Sequence, residues 1–145
     1  ERDEQLAAFI DNHPLEAFID YWQDIPLFHT QKRVPLKKRQ ELRKRRLLHK
    51  KVGLANSLRG MGTGHQPSLW GCLPNLVFPV RLLVGEYDEK FRNIAEEMDK
   101  LLPKSEVIVS PKAGHATHLE NEVFFQDAVM NFLHKIGTRR KSNGD

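Results

Sequence analysis

Apolar positions change their period along this chain, and the changes mark out its elements. Up to Gln23, Leu6, Phe9, Ile10, Phe18, Ile19 and Trp22 recur at mixed three- and four-residue spacings. That spacing predicts helix, broken at His13-Pro14. Pro26 and Pro35 frame an expected loop holding Leu27 and Phe28. From Leu36 to Lys51 strong helix formers dominate, so a basic helix is predicted, and Gly53 is expected to separate it from a short helix through Leu54, Leu58 and Met61. The string GMGTG, Gly60 to Gly64, is expected to be loop, and Pro67, Pro74 and Pro79 punctuate the approach to the next element.

The pattern then becomes one of short continuous runs. Val80, Leu82, Leu83 and Val84 stop at Gly85, and Val107, Ile108 and Val109 form a second β-branched run. Between them Phe91, Ile94, Ala95, Met98 and Leu102 line one face of a helix that Pro103 ends. A last amphipathic helix carries Phe125, Ala128, Val129, Phe132, Leu133 and Ile136, followed from Gly137 by a polar tail expected to fray. Strand, helix and strand of this kind predict an α/β fold with a parallel pair, whose two following loops share the carboxyl-terminal sheet edge where ligands of open α/β sheets bind. Buried-type strands need neighbours on both edges and helices on both faces, more sheet than these residues supply. The chain opens on Glu1 and has methionine only at positions 61, 98 and 130, so it is expected to be part of a longer protein.

Composition alters this picture chiefly through charge. Between Lys32 and Lys51 eleven Lys or Arg stand against one acid, Glu41, a local +10; twelve basic and eighteen acidic residues elsewhere leave −6. The basic segment admits three readings: a solvated helix face, a phosphate-binding patch for nucleic acid (disfavoured by the lack of interleaved aromatics), or a source of one arginine for a substrate carboxylate. No apolar run approaches the roughly 20 residues that span a bilayer. The one cysteine, Cys72, excludes an internal disulfide and fits a reducing, cytoplasmic setting. In WGCLP it reads as a small buried hydrophobe.

The candidate chemistry sits on the two loops. Asp88 follows the first strand and His115 the second, in the order acid then histidine that α/β-hydrolases use after their serine. A carboxylate holding an imidazole fixes its tautomer and prepares it to take a proton. Equally, Asp88 can cap the helix beginning near Glu89, leaving His115 an ordinary loop residue. None of Ser57, Ser68, Ser105, Ser110 or Ser142 lies in a G-x-S-x-G elbow, so a catalytic dyad would need its nucleophile from polypeptide preceding Glu1. His115, His118 and Glu120 lack the helical i,i+4 pair or the third well-spaced ligand of a metal site, and His118 reads as a packing residue.

Together SLRGMGTGHQPSLW (Ser57 to Trp70), LLVGEYDEKF (Leu82 to Phe91) and AGHATHLE (Ala113 to Glu120) resemble the MenH family, the SHCHC synthases of menaquinone and phylloquinone biosynthesis. The similarity extends to FIDYWQDIPLF, Phe18 to Phe28. The resemblance implies an α/β-hydrolase fold represented by its C-terminal portion: a helical cap over 1–61, the last two strands and flanking helices of the core over 62–137, and a polar tail over 138–145. It implies elimination of pyruvate from a succinyl-bearing cyclohexene carboxylate by a serine that His115 and Asp88 activate, with no cofactor and no metal. By the same resemblance Arg46 would bind a substrate carboxylate and Trp22 would line the pocket. The partners expected are a small anionic substrate and the remaining part of the same protein, with no membrane; nucleic acid is disfavoured, and the alternative outside enzymes is a module whose basic helix binds an acidic partner or nucleic acid.

Overall fold

Eleven helical or extended elements follow one another in the computed structural model, which describes residues 2–142. They form two compact units, the first running to Ser68 and the second starting at Leu69. The predicted break at His13-Pro14 separates α1 (Arg2–Asn12) from α2 (Leu15–Gln23). Pro26–Arg33 is a 3₁₀ helix rather than a loop: Pro26 presets φ at its first position and the Lys32–Asp24 ion pair at 2.6 Å ties it back to the end of α2.

The basic helix α3 (Leu36–Arg46) ends earlier than expected, and α4 (Lys51–Met61) begins before Gly53, which lies inside it. Glycine costs a helix about 1 kcal/mol. Here the packing of Leu54, Ala55 and Leu58 against the first unit's core outweighs that cost. That core is Ala7, Ile10, Phe18, Ile19 and Ala55. Ala7 and Ala55, both fully buried, have no side chain beyond Cβ to hold α1 and α4 apart. Arg59 of α4 closes the pair by ion pairs to Glu4 at 3.0 Å and Asp11 at 2.9 Å. Gly60 and Met61 complete α4, so the glycine-rich loop starts only at Gly62.

In the second unit a 3₁₀ helix, Trp70–Asn75, buries Leu73 and leaves Cys72 exposed, against the expectation for that cysteine. Leu73 takes the inward position of this turn, so the thiol beside it faces outward. Strands β1 (Val80–Gly85) and β2 (Ser105–Ser110) pair in parallel, with Val80 opposite Ser105 and Gly85 opposite Ser110. Helix α5 (Glu89–Leu101) makes the crossover and packs on both strands. A one-turn helix α6 (Thr117–Glu120) then leads into α7 (Glu122–Ser142).

α7 passes through Gly137 to Ser142, so the expected fraying tail is helical there; Asn143, Gly144 and Asp145 lie outside the described residues. The Thr138 hydroxyl donates to carbonyls of the preceding turn. Arg81 ties three elements together: its guanidinium pairs with Glu106 of β2 at 2.9 Å, donates to the Ala128 carbonyl of α7 and lies 4.9 Å from the Phe132 ring. The strand residues Val80 to Val84 are only half buried, and Val109 is exposed.

Candidate active site

Parallel pairing puts the loops after β1 and β2 at one edge, and there Asp88 and His115 meet. His115 Nδ1 lies 2.7 Å from Asp88 Oδ2. The carboxylate is buried, with 6% of its side chain exposed, whereas 31% of the imidazole faces outward. Asp88 also caps α5, its Oδ1 accepting from the Phe91 amide at 3.3 Å. Asp88 thus both caps α5 and contacts the imidazole, one with each oxygen. The Phe91 ring, 4.6 Å from the imidazole centroid, packs against His115. With Asp88 ionised, Nδ1 carries the proton and Nε2 is left as the basic nitrogen.

The loops are held to one another through the backbone. Tyr87 N donates to Ala113 O at 2.9 Å, and Lys112 N donates to the Glu86 carboxylate at 2.6 Å. Lys112 has φ of 57°, a left-handed conformation unusual for a side chain of its kind, and the charge-assisted bond its amide donates to Glu86 helps to hold it. At Gly85 a Cβ would run into the carbonyls of Ala113 and Gly114, so glycine is what lets the histidine loop lie against the end of β1.

His118 stands 5.9 Å from the Phe125 ring in an edge-on contact, and both Glu120 oxygens are taken by backbone amides. Among the described residues no cluster of three His, Cys, Asp or Glu converges as a metal site would require. Ser110, fully buried at the end of β2, finds no hydrogen-bond partner for its hydroxyl among the described residues, and Ser105 at the other end of that strand donates to Asp99.

No family model matches the chain. Over 135 residues it is 49% identical to a Bacillus subtilis (strain 168) protein provisionally named 2-succinyl-6-hydroxy-2,4-cyclohexadiene-1-carboxylate synthase, a match covering 93% of this chain and 49% of that protein. The solved structure of MenH from S. aureus superposes with a TM-score of 0.89 at 34% identity, covering 92% of this chain and 50% of that one. Over nearly its whole length the chain is thus similar to about half of a MenH-family protein of α/β-hydrolase fold. A thermophilic esterase from Thermogutta terrifontis, at 23% identity and a TM-score of 0.79 over 93% of this chain and 49% of that one, shares the fold alone. The chain spans about half the length of the curated relatives it matches.

The other two candidates lie in the first unit. Arg46 and Trp22 line one cavity of about 280 Å³ whose walls are mainly Leu6, Ile10, Phe18, Ile19 and Leu54, with His49 and Ser57 as further polar groups. Of the neighbouring arginines, Arg43 is engaged by Asp20 through two bonds of 3.0 Å, and Arg45 is exposed. Arg46 is half buried, and burial holds its guanidinium below the ordinary arginine value while leaving it charged at any working pH. Such a desolvated cation beside apolar walls suits a carboxylate. Sequence reasoning missed Glu86 and its bond to the Lys112 amide; the pair is twenty-six residues apart, and only the parallel register brings it together.

Proposed function

We propose that the chain is the C-terminal portion of an SHCHC synthase, with the first unit as cap and the second as the end of the α/β-hydrolase core. The observation that carries this reading is the 2.7 Å bond between a buried Asp88 and His115 at the ends of two adjacent parallel strands. In that reading Asp88 holds Nδ1–H, Nε2 takes the proton of a serine supplied by polypeptide beyond this chain, and the serine oxygen removes a substrate proton as pyruvate departs. Asp88 then stabilises the imidazolium until the proton is passed on. No cofactor enters the scheme. Arg46 binds a carboxylate of the anionic substrate, and Trp22 supplies a flat apolar wall beside it. The +10 segment, set in an otherwise acidic chain, attracts such an anion at long range. Without the serine the 145 residues alone are inactive, and the single cysteine suits the cytosol.

The fold shared with an esterase supports a second reading, a hydrolase acting on an ester or C–C bond. Pyruvate release from the succinyl-cyclohexene carboxylate, compared with turnover of a nitrophenyl ester by the same full-length protein, separates the two. In the synthase reading His115→Ala lowers mainly kcat, whereas Arg46→Ala raises KM or lowers kcat/KM. Unchanged kinetics for both variants would reject the assignment.

A further inference from the structure

Glu120 closes a ring around the histidine. Its Oε2 accepts from Gly114 N at 2.9 Å and its Oε1 from Ala116 N at 3.2 Å, the amides on either side of His115. Ala116 is the residue preceding α6, so the second of these bonds resembles the side-chain return of a capping box displaced by one residue. The first has no such explanation. Gly114 lies three residues before the helix, and capping four residues does not require its amide. What the pair of bonds does is hold His115 on both sides with one negatively charged group.

The rest of the loop is fixed from other directions. Ala113 and Gly114 are buried, their carbonyls lie against Gly85, and Ala113 O receives the Tyr87 amide. Asp88 sets only the ring of His115, through Nδ1. Its backbone is flanked by the two amides that donate to Glu120. Charge-assisted bonds to two amides are stronger than neutral ones, and a buried amide left without an acceptor destabilises the conformation that exposes it.

We propose that Glu120 is a positioning residue for His115, holding the loop in the register that keeps the imidazole on Asp88. Its effect on turnover rests on the synthase reading, but its effect on the imidazole does not. The test on this chain is nitrogen-edited NMR of the histidine rings, with backbone amides of β1 and β2 as the measure of folding. In the unsubstituted chain the His115 Nδ1 proton is seen, slowed in its exchange with water. Glu120→Gln, which keeps the shape but turns an NH₂ toward one amide, speeds that exchange by about tenfold, and Glu120→Ala abolishes the signal. Should the alanine variant unfold, the glutamine variant decides.

In the full-length protein the same substitutions lower kcat by roughly tenfold and a hundredfold, with KM within about twofold, as expected when a catalytic group is misplaced by a fraction of an ångström. Failure of the unsubstituted protein to release pyruvate removes the synthase reading and leaves the NMR result standing. A folded glutamine or alanine variant with an unaltered Nδ1 proton overturns the role of Glu120, as does absence of that proton from the unsubstituted chain.

Discussion

Asp88 serves two partners with two oxygens, and they can be separated by substitution. Asparagine is nearly as good a helix cap as aspartate, so Asp88→Asn keeps the bond from Phe91 N while replacing the carboxylate that faces His115. The expected outcome in the full-length protein is a kcat lower by roughly 10³ to 10⁴, the cost of a wrong tautomer in a triad. Thermal melting should shift by only a few degrees. Melting that collapses with activity would instead make Asp88 chiefly structural. Gly85 makes a complementary point, because the atoms a Cβ would meet are backbone carbonyls of the histidine loop and cannot turn aside. Gly85→Ala is therefore expected to cost about 2 to 3 kcal/mol in a denaturant titration.

Among the elements, the joint of β1, β2 and α7 rests on charge as well as packing. Glu106 receives Arg81 at 2.9 Å and Lys135 at 3.3 Å, and the hydrogen bond from Arg81 holds its carboxyl below the ordinary value of 4.5. A carboxyl lowered by folding contributes stability that is complete above its unfolded value and is lost as pH falls through the folded one. The stability difference between the unsubstituted chain and Glu106→Gln should therefore be constant near neutrality and shrink below about pH 4.5. Urea midpoints measured from pH 3 to 7 check this, and a difference that does not shrink on acidification would contradict it. In the first unit, packing decided where a helix begins. Gly53 predicted a boundary by propensity alone, yet the α1 to α4 contact, sealed by Ala7, Ala55 and Arg59, keeps it inside α4.

For the whole molecule, the second unit carries more apolar surface than its own elements cover. Val123, Val129, Met130 and Leu133 of α7 are exposed with Val109 of β2, and each strand has one described neighbour. If the rest of an α/β-hydrolase core completes this sheet, joining the chain to the complementary half of a relative should slow amide exchange along β1 and β2 by at least about a hundredfold. Unaltered exchange in a joined protein that folds would count against the completed sheet. No described helix is long and apolar enough to cross a membrane. Residue order and period were enough to predict the strand, helix, strand unit, the parallel pair and the placing of the Asp88 and His115 loops at one edge, because a parallel crossover returns both loops there whatever the side chains beyond it. Local pattern could not say that Cys72 would face outward, that Gly53 would be helical, that Arg46 rather than Arg43 would line the Trp22 cavity, or that Glu86 and Glu120 would brace the histidine loop. Those outcomes depend on which groups compete for the same buried space and the same backbone amides, and that competition exists only once distant segments have come together.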